Sequence, residues 1–118
     1  MAMMTPTEFA GAVPIDGYGP GFFRLAGQVV RGPVLLHEGG VTAWGGLEDG
    51  AALAVLAGSD ALLLVGTGAD IAPLPPALRQ AADAAGLHVE VMASPAAART
   101  YNVLLSEGRV IAAALIPV

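Results

Sequence analysis

The sequence predicts a single α/β domain, with helices packed on a mostly parallel sheet and an antiparallel β portion toward the N-terminus. Three observations carry this. From residue 61 onward, apolar runs and helix-period segments alternate as strand, helix, strand, helix, strand, the signature of helices layered on a parallel sheet. Ahead of residue 61, short alternating segments are separated by glycine-rich turns, which reads as hairpins. The length, 118 residues without a composition shift, fits one domain. Residues 1–13 read as a tail or a loosely docked arm, and 14–118 as the domain.

Each element has its own reason. Phe22 to Val30 alternates well enough for one strand, with Phe22 and Arg24 on one side and Phe23 and Leu25 on the other. Val34–His37 and Val41–Trp44 flank Glu38-Gly39-Gly40, a hairpin with glycines at its tight turn. A short helix over 51–57 is closed by Gly58. Ala61–Val65 is an unbroken apolar run, as expected of a strand covered on both faces. Pro75 and Pro76 open a helix that ends at Gly86, with Leu78, Ala81, Ala82 and Ala85 as its apolar stripe. Leu87–Met92 alternates as a strand. Ser94 is in place to cap a helix over 95–107, and Gly108 supplies the left-handed residue that ends it. Val110–Ile116 closes the sheet.

Composition excludes several functions. Cysteine is absent, which removes disulfides, thiol catalysis and Cys-ligated zinc. The five basic residues are all arginine, Arg24, Arg31, Arg79, Arg99 and Arg109, so neither a Schiff-base lysine nor a phosphate-binding P-loop lysine exists. With a net charge of −5 and no basic cluster, few counterions would be released on a nucleic acid, and that class of partner is not expected. No apolar stretch approaches the roughly 18 residues needed to cross a bilayer, so an integral membrane protein is not expected. Met1–Glu8 lacks the basic and apolar parts of a secretory signal, and cytoplasm is the expected compartment.

Candidate chemistry is sparse. Gly66-Thr67-Gly68 follows a buried strand, where open α/β sheets bind ligands. It fails as a dinucleotide fingerprint because Ile71 stands where the third glycine belongs, and it has no Gly-Lys-Ser/Thr. A small-anion loop and a plain tight strand exit both remain, and the second is the blander reading. Asp16 and Tyr18, in the glycine-rich segment Asp16-Gly-Tyr-Gly-Pro-Gly21, either line a cleft or hydrogen-bond their own loop. On the last helix, 100° steps place Ala97, Ala98, Tyr101, Leu104 and Leu105 on one face and leave Arg99, Asn102 and Ser106 as a polar strip. That strip is a functional surface or a solvated face. Tyr101 is expected in the core with its hydroxyl bonded at the sheet edge, and Trp44 packed on the core. His37 and His88 have no ligand-spaced neighbours, so no metal site is expected, and no residue set implies a cofactor.

Two of these segments also carry a resemblance. Ile15-Asp-Gly-Tyr-Gly-Pro-Gly-Phe-Phe-Arg-Leu25 and Ser94-Pro-Ala-Ala-Ala-Arg-Thr-Tyr-Asn-Val-Leu-Leu-Ser-Glu-Gly108, with Gly66-Thr-Gly68 between them, are similar to a family of small proteins of largely undefined function. The family occurs in bacteria, archaea and mitochondria. It includes mitochondrial respiratory complex I assembly factor 3 and the adipogenesis-associated Mth-domain protein. The resemblance spans roughly residues 15–118. It implies three layers: a mixed central sheet, helices on one face, and a β-plus-α layer on the other.

It also implies a non-catalytic accessory or assembly factor working through a protein partner. The rival expectation is a small-anion binder or weak enzyme using Arg24, Gly66, Thr67, Gly68 and Arg99. Two buried arginines facing one cleft would favour the rival. An exposed apolar patch beside Arg99 would favour the assembly reading.

Overall fold

Two sheets share one core in the computed structural model, which describes residues 11–118. The central sheet has strand order β5-β4-β8-β6-β7, built from β4 (Val34–His37), β5 (Gly40–Ala43), β6 (Leu62–Thr67), β7 (His88–Met92) and β8 (Ile111–Ile116). β6 runs parallel to both β7 and β8, while β4 pairs antiparallel with β8 and β5. The sheet is therefore mixed, as expected. A smaller antiparallel sheet joins β1 (Ile15–Gly19), β2 (Phe22–Leu25) and β3 (Gln28–Arg31).

Alternation along the central strands divides the core into two layers. Leu36, Leu64, Ile111, Ala113 and Leu115 face a cluster with Phe23, Leu25 and Val30 of the small sheet and Ala97, Ala98 and Tyr101 of α2 (Ser94–Ser106). Leu35, Leu63, Val65, Ala112 and Ala114 face the other way, against Leu78 and Ala82 of α1 (Pro76–Ala84), Trp44, and Leu53 and Leu56 of a 3₁₀ helix, Ala51–Leu56. The β-plus-α layer, the sheet and the helical layer are the three layers the resemblance implies. The alanines of β8 let both layers approach closely. Larger side chains there would have to displace α1 or α2.

Both α-helices end by the same device. The Gly86 N–H donates to the Asp83 carbonyl and the Leu87 N–H to the Ala82 carbonyl. Gly108 to Leu105 and Arg109 to Leu104 repeat the arrangement. Gly86 has φ 75° and Gly108 φ 76°, the left-handed residue of a Schellman motif.

Three expectations need correction. Phe22 to Val30 is two strands: the chain reverses at Ala26 and Gly27, with φ 50° and 78°, the paired positive values of a tight hairpin turn. The glycine-rich segment after Ile15 is largely strand β1, with a register shift between Ile15 and Gly17. Ser94 does not cap its helix, whose N-cap is Ala93 without a side-chain bond. Of the expected arm, residues 1–10 lie outside the described residues, and Val13 is buried in the core.

Candidate functional site

The carboxyl end of β6 is tied directly to the start of α2. A Cβ on Gly66 would lie 2.9 Å from the Ser94 Cα, 2.7 Å from its Oγ and 2.8 Å from Leu115 Cδ2, so only glycine lets the helix seat there. The Ser94 N–H donates to the Gly68 carbonyl at 2.8 Å. The Ser94 Oγ accepts the Gly68 N–H at 2.9 Å and donates to the Ile116 carbonyl. This hydroxyl braces three segments, which is why it is not free to cap its own helix. The Thr67 hydroxyl accepts the Ala72 N–H at 2.9 Å and donates to the Asp70 carbonyl at 2.7 Å. The Gly68 N–H and the Thr67 hydroxyl, groups an anion would use, are thus held by the chain itself.

The first hairpin separates its candidates. Tyr18 stands opposite Phe23 and Arg24 opposite Gly17. Directly paired residues share a face and alternate along the strand, so Tyr18 and Arg24 leave opposite faces. Phe23 is buried and Tyr18 is 44% exposed on that side. Asp16 Oδ2 accepts the Gly27 N–H at 2.7 Å, supporting the turn that splits β2 from β3.

On α2 the polar strip has three different fates. Asn102 Oδ1 accepts the Ile15 N–H at 2.8 Å, and its Nδ2 donates to the Ile15 carbonyl at 2.7 Å. The carboxamide acts as one more peptide group beside β1, just where the strand register shifts, and this pairing fixes its orientation. Ser106 donates to the Val103 carbonyl of its own helix. Arg99 is exposed, and among the described residues the one ion pair is His88 with Asp60 at 3.6 Å. Val103, one turn beyond Arg99, is 55% exposed. Of the strip, Arg99 alone has no hydrogen-bond or ion-pair partner among the described residues, and the exposed Val103 lies one turn away.

Two buried polar side chains stand apart from this pairing. Tyr101 is fully buried, and its hydroxyl has no partner among the described residues, contrary to the expected bond at the sheet edge. Desolvation pushes its pKa up to about 12. His37, which sequence reasoning set aside, is buried at the end of β4 with Nε2 unpartnered, and burial lowers its pKa. The available signal was local: an apolar strand ending in histidine just before a Glu-Gly turn.

Among the described residues, no three His, Cys, Asp or Glu side chains gather as metal ligands, and no helix is long and apolar enough to cross a membrane. Of the eight candidates, Asp16, Tyr18 and Arg24 lie on the first hairpin, Gly66, Thr67 and Gly68 at the strand exit, and Arg99 and Asn102 on α2, with Asn102 bonded to Ile15 of the hairpin.

Comparison with known proteins follows the same lines. A family model described as protein of unknown function (DUF498/DUF598) matches residues 15–116. The chain belongs to this family. Among its relatives, an uncharacterised protein of Rhodobacter capsulatus is 57% identical over 116 residues, 97% of this chain and 94% of the relative. Mouse NADH dehydrogenase [ubiquinone] 1 alpha subcomplex assembly factor 3 is 37% identical over 118 residues, covering 94% of this chain but 64% of its own length. Among solved structures, an outer membrane protein from Bartonella henselae superposes with a TM-score of 0.81 at 34% identity, covering 92% of this chain and 98% of that one. A Mth938-like domain from Bordetella pertussis superposes with a TM-score of 0.71 at 30% identity, over 89% and 85%. The chain therefore shares the Mth938-like α/β fold.

Proposed function

We propose that this protein is a non-catalytic accessory or assembly factor that works in the cytoplasm by contacting a protein partner through the outer face of α2. The observation that carries the reading is Arg99, exposed and without an ion-pair partner among the described residues, beside an exposed Val103. An arginine next to an apolar side chain suits an interface, since arginine is among the residues that commonly anchor one. The assembly-factor names of the mammalian relatives support the same role. The anion-binding alternative loses ground on two counts: Arg24 and Arg99 are exposed instead of buried in a cleft, and the Gly68 N–H is bonded to Ser94.

Arg99→Ala tests the proposal. At an exposed position it should change folding stability by no more than about 0.5 kcal/mol. In affinity purification from the native cell with mass spectrometry, a protein enriched by the wild type should be lost with Arg99→Ala and with Val103→Asp. Unchanged capture by both variants, at unchanged melting temperatures, would sink the surface assignment. Loss of inorganic phosphate binding in Arg99→Ala, with partner capture intact, would restore the anion reading.

A further inference from the structure

Two recesses beside the central sheet differ in the charge of their linings. At the amino end, the end of β4 with its turn, the end of the 3₁₀ helix and the starts of β6 and β8 surround a cavity of about 220 Å³ whose lining carries the Glu38 carboxylate and no arginine. The other is an open groove of about 350 Å³. It is lined by Ile71, Ala72, Pro73 and Leu74 from the connection between β6 and α1, by Arg79 of α1 and by Val91 of β7. Val91 is the one sheet residue among these, so the groove lies along the outermost strand.

That strand has a free side. The sheet ends at β7, which pairs with β6 alone. The His88 N–H donates to the Ala61 carbonyl at 3.3 Å, so His88 turns its backbone groups toward β6. Direction alternates along a strand, and Val89 and Val91 therefore turn their N–H and C=O groups outward. No hydrogen bond among the described residues reaches those four groups. An edge left open in this way is a template for an added strand.

The side chains flanking the edge say what would be added. Val89 packs against the α1 layer. Val91 faces the same side by alternation, and His88 and Glu90 face the other. On the first side an added strand meets the groove, where Arg79 is the one charged residue, exposed and without an ion-pair partner among the described residues. On the second side it meets the exposed Glu90. We propose that β7 and this groove bind an extended segment of a partner protein with the consecutive pattern aliphatic, basic, acidic. Residues two apart share a face, so the aliphatic side chain covers Ile71, 65% exposed, while the acidic group meets Arg79. The basic residue between them faces Glu90. A second copy of this chain fits less well. Pairing Val89 with Val91 and Val91 with Val89 across a two-fold axis sets Glu90 against Glu90, and like charges directly opposite are destabilising. None of these residues belongs to α2, so this surface stands or falls independently of the Arg99 surface.

The probes are acetyl-Val-Thr-Leu-Lys-Glu-Thr-Val-amide and its reversed sequence, which together present the pattern in both strand directions. Each is titrated into isotope-labelled protein and followed by NMR. With one of them, saturable shifts are expected at the Ile71 and Leu74 methyl groups and at the Val89 and Val91 amides, the amides moving downfield and exchanging more slowly. Replacing the peptide's glutamate by glutamine should weaken binding roughly tenfold, the worth of a hydrogen bond to a charged group. Arg79→Ala should cause the same loss for the glutamate peptide and no further loss for the glutamine peptide. Absence of saturable shifts with both probes, or shifts that spare Val89 and Val91, would overturn the proposal. Equal affinity of the glutamate and glutamine peptides for the wild type, a comparison that needs no protein variant, would overturn the charge pattern. A dimer in sedimentation without peptide, with Val89 and Val91 amides that shift on dilution, would assign the edge to a second copy instead.

Discussion

The two ends of the central sheet are built on opposite principles. At the carboxyl end of β6 and β8, Gly66, Gly68, Ser94 and Ile116 are locked together, with the Ser94 hydroxyl and amide both bonded across segments. At the amino end, four segments leave a cavity, and the His37 Nε2 beside it has no partner. Open α/β sheets usually bind ligands beyond the carboxyl ends of their strands. Here the N-terminus of α2 has taken that place. What remains open is the far end, closed only by side chains of the hairpin turn and the 3₁₀ helix. The usual place for a ligand in this fold class is therefore filled here by groups that the chain has already paired with one another.

Four experiments press on this contrast, beginning with the largest effect. Tyr101 lies on α2 between the two ends, in the layer that holds the helix to the sheet. Tyr101→Ala should destabilise by about 4 kcal/mol, as core aromatic truncations do, whereas Tyr101→Phe should be neutral or stabilising because it removes an unpaired hydroxyl. Chemical denaturation checks both. A large loss in Tyr101→Phe would mean that the hydroxyl has a partner after all.

Next come the locked groups of the carboxyl end. Gly66→Ala and Ser94→Ala should each cost about 3 kcal/mol, the first by pressing on the Ser94 backbone and the second by leaving the Gly68 N–H and Ile116 carbonyl unpaired. Melting temperatures that barely move would show this end to be looser than its hydrogen bonds imply.

Alkaline titration gives a third test of comparable size. The folded-state pKa of Tyr101 is raised to about 12 from the ordinary 10, so the folded state holds that proton more tightly than the unfolded chain does. This contribution is fully present below pH 10 and is lost as pH rises through about 12. The two-unit difference amounts to about 3 kcal/mol. The chain has neither lysine nor cysteine, which leaves the window unusually clear. Tyrosinate absorbance in a Tyr18→Phe background should show ionisation coinciding with unfolding. Ionisation near pH 10 with the fold intact would contradict the burial of the hydroxyl.

The smallest effect belongs to the amino end. Burial lowers the His37 pKa, so the unfolded chain takes up its proton first. Stability from this group is present above about pH 6.5 and falls as pH drops below it. In His37→Phe this acid-side slope should be flatter, and stability at neutral pH should change little because an unpaired donor has been removed. The Gly39 N–H, which donates to Nδ1 at 3.1 Å, is exposed and can turn to water in the variant, so a His37→Phe variant much less stable at neutral pH would mean that the chain pairs Nε2 after all, and the contrast between the two ends would fail.

Sequence by itself determined most of the secondary structure and the layering, because those signals are local. The buried strand β6, the stripe of α1, the buried face of α2 and the glycine stops at Gly86 and Gly108 are each legible within about a dozen residues. The missed reversal at Ala26-Gly27 had a weak local signature, since apolar alternation runs through it and the support comes from Asp16 in another strand.

Only the tertiary structure decided what the polar residues do. Ser94 reads as a cap until Gly68 and Ile116, 26 and 22 residues away, claim its hydroxyl. Asn102 reads as part of an outward polar strip, functional or solvated, until it pairs with Ile15, 87 residues earlier. His37 reads as an isolated histidine until β6, β8 and the 3₁₀ helix close around it. Periodicity records which face of an element is apolar. The partner of a hydrogen bond is set by which distant segments the packed core brings alongside, and no local pattern encodes that.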